Sequence, residues 1–259
     1  MLFDTISNLQ ALQDIAQNAG RKILSIYNNP EQASKTTHKE DQSPLTLADT
    51  ASHEIIKAAL SELSPAIPII SEEGKDVPYE EREAYDLFWL VDPLDGTKEF
   101  INRNGEFTVN IALIKSGYPI AGFIYVPVTD VSYFGVLGHG AWKVENGKKQ
   151  KISIRNSSEN RTAVRSRSHP SPEEEALFKK YDVSSFESKG SSLKFCVIAE
   201  GNADLYYRHG PTMEWDTGAG QAVLEAAGGQ VVNIDTMERF RYNKFSLLNG
   251  GFLATGFSL

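Results

Sequence analysis

The chain has a single cysteine, Cys196, so it has neither an internal disulfide nor a cysteine-based zinc site, and a reducing compartment fits. It also lacks an excess of positive charge: 26 Lys and Arg stand against 34 Asp and Glu, a formal net charge of −8. That balance argues against a basic surface for duplex DNA. An acidic chain still accepts an anionic substrate if that substrate brings metal ions or meets a local basic pocket. No stretch approaches the ~18 apolar residues that a spanning helix needs. The opening Met-Leu-Phe-Asp-Thr-Ile-Ser-Asn has no basic region before an apolar run and no small-residue cleavage signal, so no secretory leader is expected. His38, His53, His139, His169 and His209 show no spacing of the H-E-x-x-H kind, which disfavours zinc chemistry. No repeat of 20–50 residues and no low-complexity linker is visible.

What is present is globular in character. Of 259 residues 41% are hydrophobic and 23% charged, close to globular averages, which removes disordered and fibrous readings. At this length folding hides roughly 70–75% of the unfolded chain's surface, so a core forms without staples. Apolar residues at Leu2, Ile6, Leu9, Leu12, Ala16, Ala19 and Ile23 recur at steps of three and four and predict an amphipathic helix over residues 2–24. Asn28-Asn29-Pro30 breaks it, and residues 32–43 read as a loop. A second helix is expected near residues 47–63, and Ile67-Pro68-Ile69-Ile70 leads as a short strand into Ser71-Glu72-Glu73-Gly74.

Leu87-Phe88-Trp89-Leu90-Val91 reads as a buried strand that stops at Asp92-Pro93. A meander of hairpins follows, with strands at residues 108–115, 120–126, 131–136 and 151–154, punctuated by Gly117, Pro127, Gly138 and Asn146-Gly147. Beyond Arg161 the pattern alternates β, α, β, α, β, with helices at residues 173–180, 193–200 and 216–227, the last ended by Gly228-Gly229. The expected architecture is an antiparallel sheet from about residues 1–160 and a mixed α/β layer from 161–259. Helices lie between and outside them in one cooperative catalytic unit.

The densest chemical signal is Asp92-Pro93-Leu94-Asp95-Gly96-Thr97: two carboxylates after a buried strand, with Gly96 letting backbone N–H groups approach a ligand. Hard oxygen donors from such a turn suit Mg²⁺. The plainer alternative is favourable turn chemistry. Glu72 ends the preceding strand, Asp216 opens a Gly/Ala-rich helix after Trp215, and Asp49 lies on the second helix. Each has its own plain alternative: a solvated loop, an ordinary N-cap and a surface charge.

In order and approximate spacing, Ser71-Glu72-Glu73, residues 89–97 and Trp215-Asp216-Thr217-Gly218-Ala219-Gly220 resemble the inositol monophosphatase-like metal-dependent phosphatases. The likeness spans nearly the whole chain. Residues 94–101 running into Asn104-Gly105-Glu106-Phe107-Thr108-Val109-Asn110, with Ser191-Ser192-Leu193-Lys194-Phe195 and residues 210–216, resemble the 3′(2′),5′-bisphosphate nucleotidase branch. The resemblance implies an αβαβα sandwich of the layered α+β and α/β class. It implies metal-ligand carboxylates at Glu72, Asp92, Asp95 and Asp216, with the Leu94 carbonyl as a further ligand, for two or three Mg²⁺ ions. Asp49 matches the residue near a third, weaker metal position. Thr97 with Glu72 would orient the attacking water, and the Gly96 and Thr97 N–H groups would hold phosphate. Lithium sensitivity is a tendency of the family, since Li⁺ replaces one Mg²⁺ and holds product phosphate.

Physical logic favours that assignment independently. A phosphate monoester and hydroxide are both anions, and uncatalysed hydrolysis is among the slowest reactions known. Two divalent ions ~3.5–4 Å apart would neutralise the phosphate, acidify a bound water and stabilise the leaving alkoxide. Four acidic side chains balance the roughly four positive charges that two such ions bring. For a second phosphate, Lys189-Gly190-Ser191-Ser192-Leu193-Lys194 supplies positive charge and N–H groups before a helix. The resemblance places nucleotide contacts on Gly190, Ser191, Ser192, Lys194, Arg208 and Asp216. The plain alternative is an N-cap at Ser191 or Ser192 with a solvated Lys194.

Between Lys148 and Arg167 stand Lys148, Lys149, Lys151, Arg155, Arg161, Arg165 and Arg167 against Glu159 alone; charge-protected hairpin edges explain them better than a nucleic-acid patch. Cys196, among Phe195, Val197 and Ile198, reads as a buried thiol. The reading is a Mg²⁺-dependent phosphomonoesterase that converts adenosine 3′,5′-bisphosphate to AMP and phosphate, with 3′-phosphoadenosine 5′-phosphosulfate as a further substrate and a link to sulfate assimilation. Its rivals are an inositol monophosphatase or sugar bisphosphatase on the same centre, and a non-catalytic nucleotide-binding regulator. The expected partner is a small nucleotide, with no nucleic acid and no integral membrane segment. A monomer or weak dimer is expected in the cytoplasm; some relatives lie peripherally on the cytoplasmic membrane face, but no basic amphipathic anchor is evident.

Overall fold

A computed structural model describes residues 5–33, 35–38, 44–166 and 173–259. The first helix, Thr5–Tyr27, buries Leu12, Ile15, Ala16, Ala19, Ile23 and Ile26 on one face. Leu2 and the side chain of Ile6 lie outside the described residues, as do Arg167 and His169. Asn29 both ends this helix and starts a short one, Pro30–Ala33: its Oδ1 accepts from the N–H of Glu31 at 3.1 Å, and proline suits a first helical position. Of the loop expected over residues 32–43, residues 32–33 are therefore helix and 36–38 strand. Thr36–His38 pairs antiparallel with Pro44–Thr46, while residues 34 and 39–43 lie outside the described ones.

Helix Leu47–Leu63 falls where the sequence places it, because Thr46 and Asp49 cap each other reciprocally: the Thr46 hydroxyl accepts from Ala48 N–H, and the Asp49 carboxylate accepts from Thr46 N–H at 2.8 Å. Seven strands form the first sheet, in the spatial order Ile69–Ser71, Leu87–Asp95, Thr108–Lys115, Tyr118–Val126, Val131–Val136, Gly140–Glu145, Lys148–Ile152. All neighbours are antiparallel except the first pair, which is parallel. Gly140–Glu145 was not read from the sequence, and it pairs with Lys148–Ile152 through Asn146-Gly147, whose φ values of 52° and 70° suit a tight hairpin turn. The basic Lys148–Ile152 strand forms the sheet edge, as charge protection predicts.

The Leu87–Asp95 strand does not stop at Asp92-Pro93. Asp92 pairs with Asn110 and Asp95 with Thr108, so three steps on one strand face two on the other. Pro93 donates no N–H and is accommodated in this bulge. In a regular strand residues three apart point to opposite faces. The extra residue lets Asp92 and Asp95 serve one site.

The second sheet runs Val183–Lys189, Arg161–Ser166, Leu205–Arg208, Phe252–Thr255, Gln230–Asn233; its first two pairings are parallel and its last two antiparallel. Helices Leu193–Ala199 and Glu214–Ala226 lie between the sheets, burying Phe195, Ile198, Val223 and Leu224 against Leu90 and Ile124 on one side and Phe252 and Val231 on the other. Thr5–Tyr27 and Leu47–Leu63 cover the outer face of the first sheet, over Trp89, Val109 and Phe123. Helix Glu173–Lys180 covers the outer face of the second through Phe178. The layers are thus α, β, α, β, α. Among the described residues, no helix is long and apolar enough to cross a membrane.

Candidate active site

The acidic residues converge where the first sheet meets the two interior helices. Asp92 is 1% exposed, and its Oδ1 accepts from Leu94 N–H at 3.0 Å. Burial pushes its carboxyl well above the usual range, and the like charges of Glu72, Asp95 and Asp216 push it further; a hydrogen bond with Glu72 also favours its protonated form. Asp216 is raised well above its ordinary value by burial and by Asp95 and Glu72, against the opposing effects of Met213 N–H and the Arg208 charge. It occupies the third position of helix Glu214–Ala226, two residues inside the start, and not the N-cap. Its Oδ2 accepts from Met213 N–H at 2.8 Å. Glu72 follows strand Ile69–Ser71, and its N–H donates to Val91 O at 3.1 Å, which ties it to the strand that carries Asp92.

Asp95 is also raised by burial, but less, because Lys194 and hydrogen bonds from Asn110 and Ser192 favour its charge. Among the described residues, no three His, Cys, Asp or Glu side chains already form a coordinating group. The four carboxylates nevertheless affect one another's ionisation, and a set of hard oxygen donors, buried at Asp92 and half-buried at the other three, whose mutual repulsion Lys194 and Arg208 only partly offset, fits divalent cations of the Mg²⁺ kind.

Asp49 does not behave as a surface charge: it is 1% exposed, its carboxyl raised mainly by burial, and its Oδ1 accepts from the Thr97 hydroxyl at 3.1 Å. Leu94 is buried beside Asp92. Gly96 has φ 95°, and a Cβ there would lie 2.1 Å from Ser191 Oγ, so both backbone shape and space require glycine. The turn it makes opens helix Thr97–Ile101.

An open cavity of about 640 Å³ places Asp95, Gly96 and Asp216 beside Gly190, Ser191, Lys194 and Arg208. Lys194 is not solvated: it is 7% exposed, its Nζ donates to Ser191 O at 2.6 Å, and burial lowers its pKa while Asp95 raises it. The Gly190–Ser192 backbone is held by carboxylates, with Gly190 N–H on Glu106 Oε2 at 2.8 Å and Ser192 N–H on Asp95 Oδ2 at 2.6 Å. Ser192 occupies the N-cap position of Leu193–Ala199, yet its side chain makes no cap bond and turns to Asn110 instead. Arg208 donates to the carbonyls of Gly210 and Pro211 at 3.3 Å each. Lys98, Glu99 and Tyr206 also line the cavity and were not singled out from the sequence; nor were Glu106 and Asn110 given roles, although both fall inside the motif that carries the resemblance.

Outside the site, the basic segment is tied into the fold. Arg155 pairs with Asp204, Arg165 lies 3.6 Å from Glu174 and Lys149 sits over the Trp142 ring. Cys196 is fully buried, with its thiol pushed well up by burial.

The inositol monophosphatase family model matches residues 6–256. The chain belongs to that family. Its members are metal-dependent phosphatases, which agrees with the donor set above. The 3′(2′),5′-bisphosphate nucleotidase CysQ of Salmonella typhimurium is 44% identical over 247 residues, covering 95% of this chain and 99% of that protein. The crystal structure of CysQ from Bacteroides thetaiotaomicron superposes with a TM-score of 0.85 at 45% identity, over 97% of this chain and 98% of that one. Inositol monophosphatase II of Staphylococcus aureus is more distant, at 25% identity and a TM-score of 0.77, over 97% of this chain and 92% of that one.

Proposed function

We propose that this protein is a Mg²⁺-dependent 3′(2′),5′-bisphosphate nucleotidase that hydrolyses adenosine 3′,5′-bisphosphate to AMP and phosphate. One observation carries the reading: a single cavity is lined by the carboxylates of Asp95 and Asp216 and by the cationic side chains of Lys194 and Arg208. An anion beside the carboxylates requires cations, and a second anion on the same ligand meets Lys194 and Arg208.

Glu72, Asp92, Asp95 and Asp216, with the Leu94 carbonyl, would hold two or three Mg²⁺ ions. Bound there, they would neutralise phosphate charge, lower the pKa of water and stabilise the leaving alkoxide. The Thr97 hydroxyl commits its proton to Asp49 and so presents only lone pairs to a neighbouring water. Such a water would be oriented for attack on phosphorus by Thr97 together with Glu72. The Gly96 and Thr97 N–H groups, at the start of helix Thr97–Ile101 where N–H groups have no acceptor within the helix, would hold the scissile phosphate. Lys194 and Arg208 would position the remaining phosphate, and Gly190 and Ser191, which line the cavity while the Gly190 and Ser192 N–H groups stay on Glu106 and Asp95, would border the nucleoside. The enzyme acts in the cytoplasm as a monomer or weak dimer.

Initial rates with Mg²⁺ and with EDTA on adenosine 3′,5′-bisphosphate, its 5′-phosphosulfate analogue, inositol monophosphate and fructose bisphosphate test the reading. The adenosine bisphosphates should turn over fastest and only with Mg²⁺. A preference for inositol or sugar phosphates, or no phosphate release at all, would reject it.

A further inference from the structure

Asp95 is held by a clamp that draws on both halves of the chain. Its Oδ2 accepts from Asn110 Nδ2 at 3.1 Å and from Ser192 N–H at 2.6 Å, and the Thr108 hydroxyl oxygen lies 3.4 Å away. The donors also hold each other: Ser192 Oγ donates to Asn110 Oδ1 at 2.8 Å and lies 2.8 Å from Thr108 Oγ1. Asn110 and Thr108 are completely buried and Ser192 nearly so, so the network is shielded from water. A carboxylate oxygen has room for about two strong donors, and Oδ2 already has them.

We infer that Asn110 is a positioning residue that saturates Asp95 Oδ2, aims the single remaining oxygen, Oδ1, into the cavity, and links the cation-holding strand to the 190–194 segment. Asp95 then ligates a divalent cation through one oxygen. The amide does this in a way a hydroxyl would not: it donates to Asp95 while accepting from Ser192, so one planar group fixes both the carboxylate and the segment. An aspartate at position 110 would have the same shape but no donor, and would face Asp95 with a second negative charge. The inference rests on the reading of Asp95 as a cation ligand.

The test is calorimetric titration of the EDTA-stripped full chain with Mg²⁺ alone, beside the Mg²⁺ dependence of kcat. Asn110→Ala should weaken Mg²⁺ binding about tenfold, the low end for loss of a group that orients a ligand. Activity should recover at high Mg²⁺, with the Mg²⁺ midpoint moved and kcat near that of the parent. Asn110→Asp should be worse than alanine. Ser192→Ala, which removes the hydroxyl that orients the amide, should weaken binding in the same direction but by less, beyond the twofold limit below, and serves if the position 110 variants do not fold. Melting temperatures in EDTA separate a structural role, which would fall without moving the Mg²⁺ midpoint. If Asp95→Asn abolishes Mg²⁺ binding while Asn110→Ala and Ser192→Ala bind within twofold of the parent, the clamp is wrong and the ligand reading stands. If Asp95→Asn binds Mg²⁺ like the parent, both are wrong.

Discussion

Replacing Asp92 with Asn should stabilise the cation-free protein, against the usual outcome of changing a buried polar residue. Asp92 is 1% exposed, surrounded by the like charges of Glu72, Asp95 and Asp216, and its carboxyl is held well above the ordinary range. At an effective permittivity of ~20, unit charges 4–6 Å apart repel by about 3–4 kcal/mol. The proton shared with Glu72 already relieves part of that, so the substitution should recover about 2 kcal/mol at pH 7.5. Asn keeps the shape and can accept the Leu94 N–H through the same oxygen. For a chain of this size that is a rise of about 4–8 °C in the melting temperature in EDTA. The pH sign follows from the raised folded pKa. The penalty in the parent is full above that raised pKa, shrinks as pH falls below it and is gone only below the ordinary carboxylate pKa, so the two melting curves should draw together with acid and meet near roughly pH 4. With Mg²⁺ at about 100 times its Kd the parent should gain about 2.7 kcal/mol and the variant far less. Thermal melts at two pH values, with EDTA or Mg²⁺, read all of this. An Asn variant that melts below the parent in EDTA at pH 7.5 would refute the account, because Asp92 would then be a structural hydrogen-bonding group and not a carboxylate awaiting a cation.

Asp95→Asn should remove most phosphate release while leaving the circular dichroism spectrum and melting in EDTA close to the parent's. Lys194→Met should fill the same buried space without the charge; loss of a contact to a charged group worth about 1.5–3 kcal/mol would raise KM for the bisphosphate about 10–100-fold. It should act less on a substrate with the 3′-phosphate alone, and equal effects on both would argue against Lys194 holding the second phosphate. Gly220→Ala should destabilise by about 1–3 kcal/mol, because its Cβ would fall 2.3 Å from the Phe195 ring, which is wedged against Phe252. A melting temperature unchanged in that variant would show that the interior helices move apart freely.

The first two long helices and the hairpin meander were legible because their signals are local, among them apolar steps of three and four in the first helix and the Asn146-Gly147 turn, while the capping pair at Thr46 and Asp49 emerged only in the structure. The strand at residues 140–145 was not, since Gly140, Lys143 and Glu145 interrupt its apolar alternation, and pairing on both sides supplies what local preference lacks. Thr36–His38 escaped for the same reason, with only its partner Pro44–Thr46 to define it. Asp92 and Asp95 stood out as carboxylates at a turn, but their common direction comes from a bulge that exists only in register with Thr108 and Asn110.

Chemistry of the site was written in residue types: a chain of net charge −8 with acidic residues at 72, 92, 95 and 216 already suited cations and an anionic ester. Whether those groups stay charged was not written there, because ionisation depends on solvent exclusion and on neighbours more than a hundred residues away along the chain. Only the packing of the two sheets around the interior helices brings Ser192 to Asp95 and turns Lys194 inward beneath the cavity. Local preference shapes single helices and turns; the meeting of distant carboxylates and amides is decided by burial, which acts on the whole fold at once.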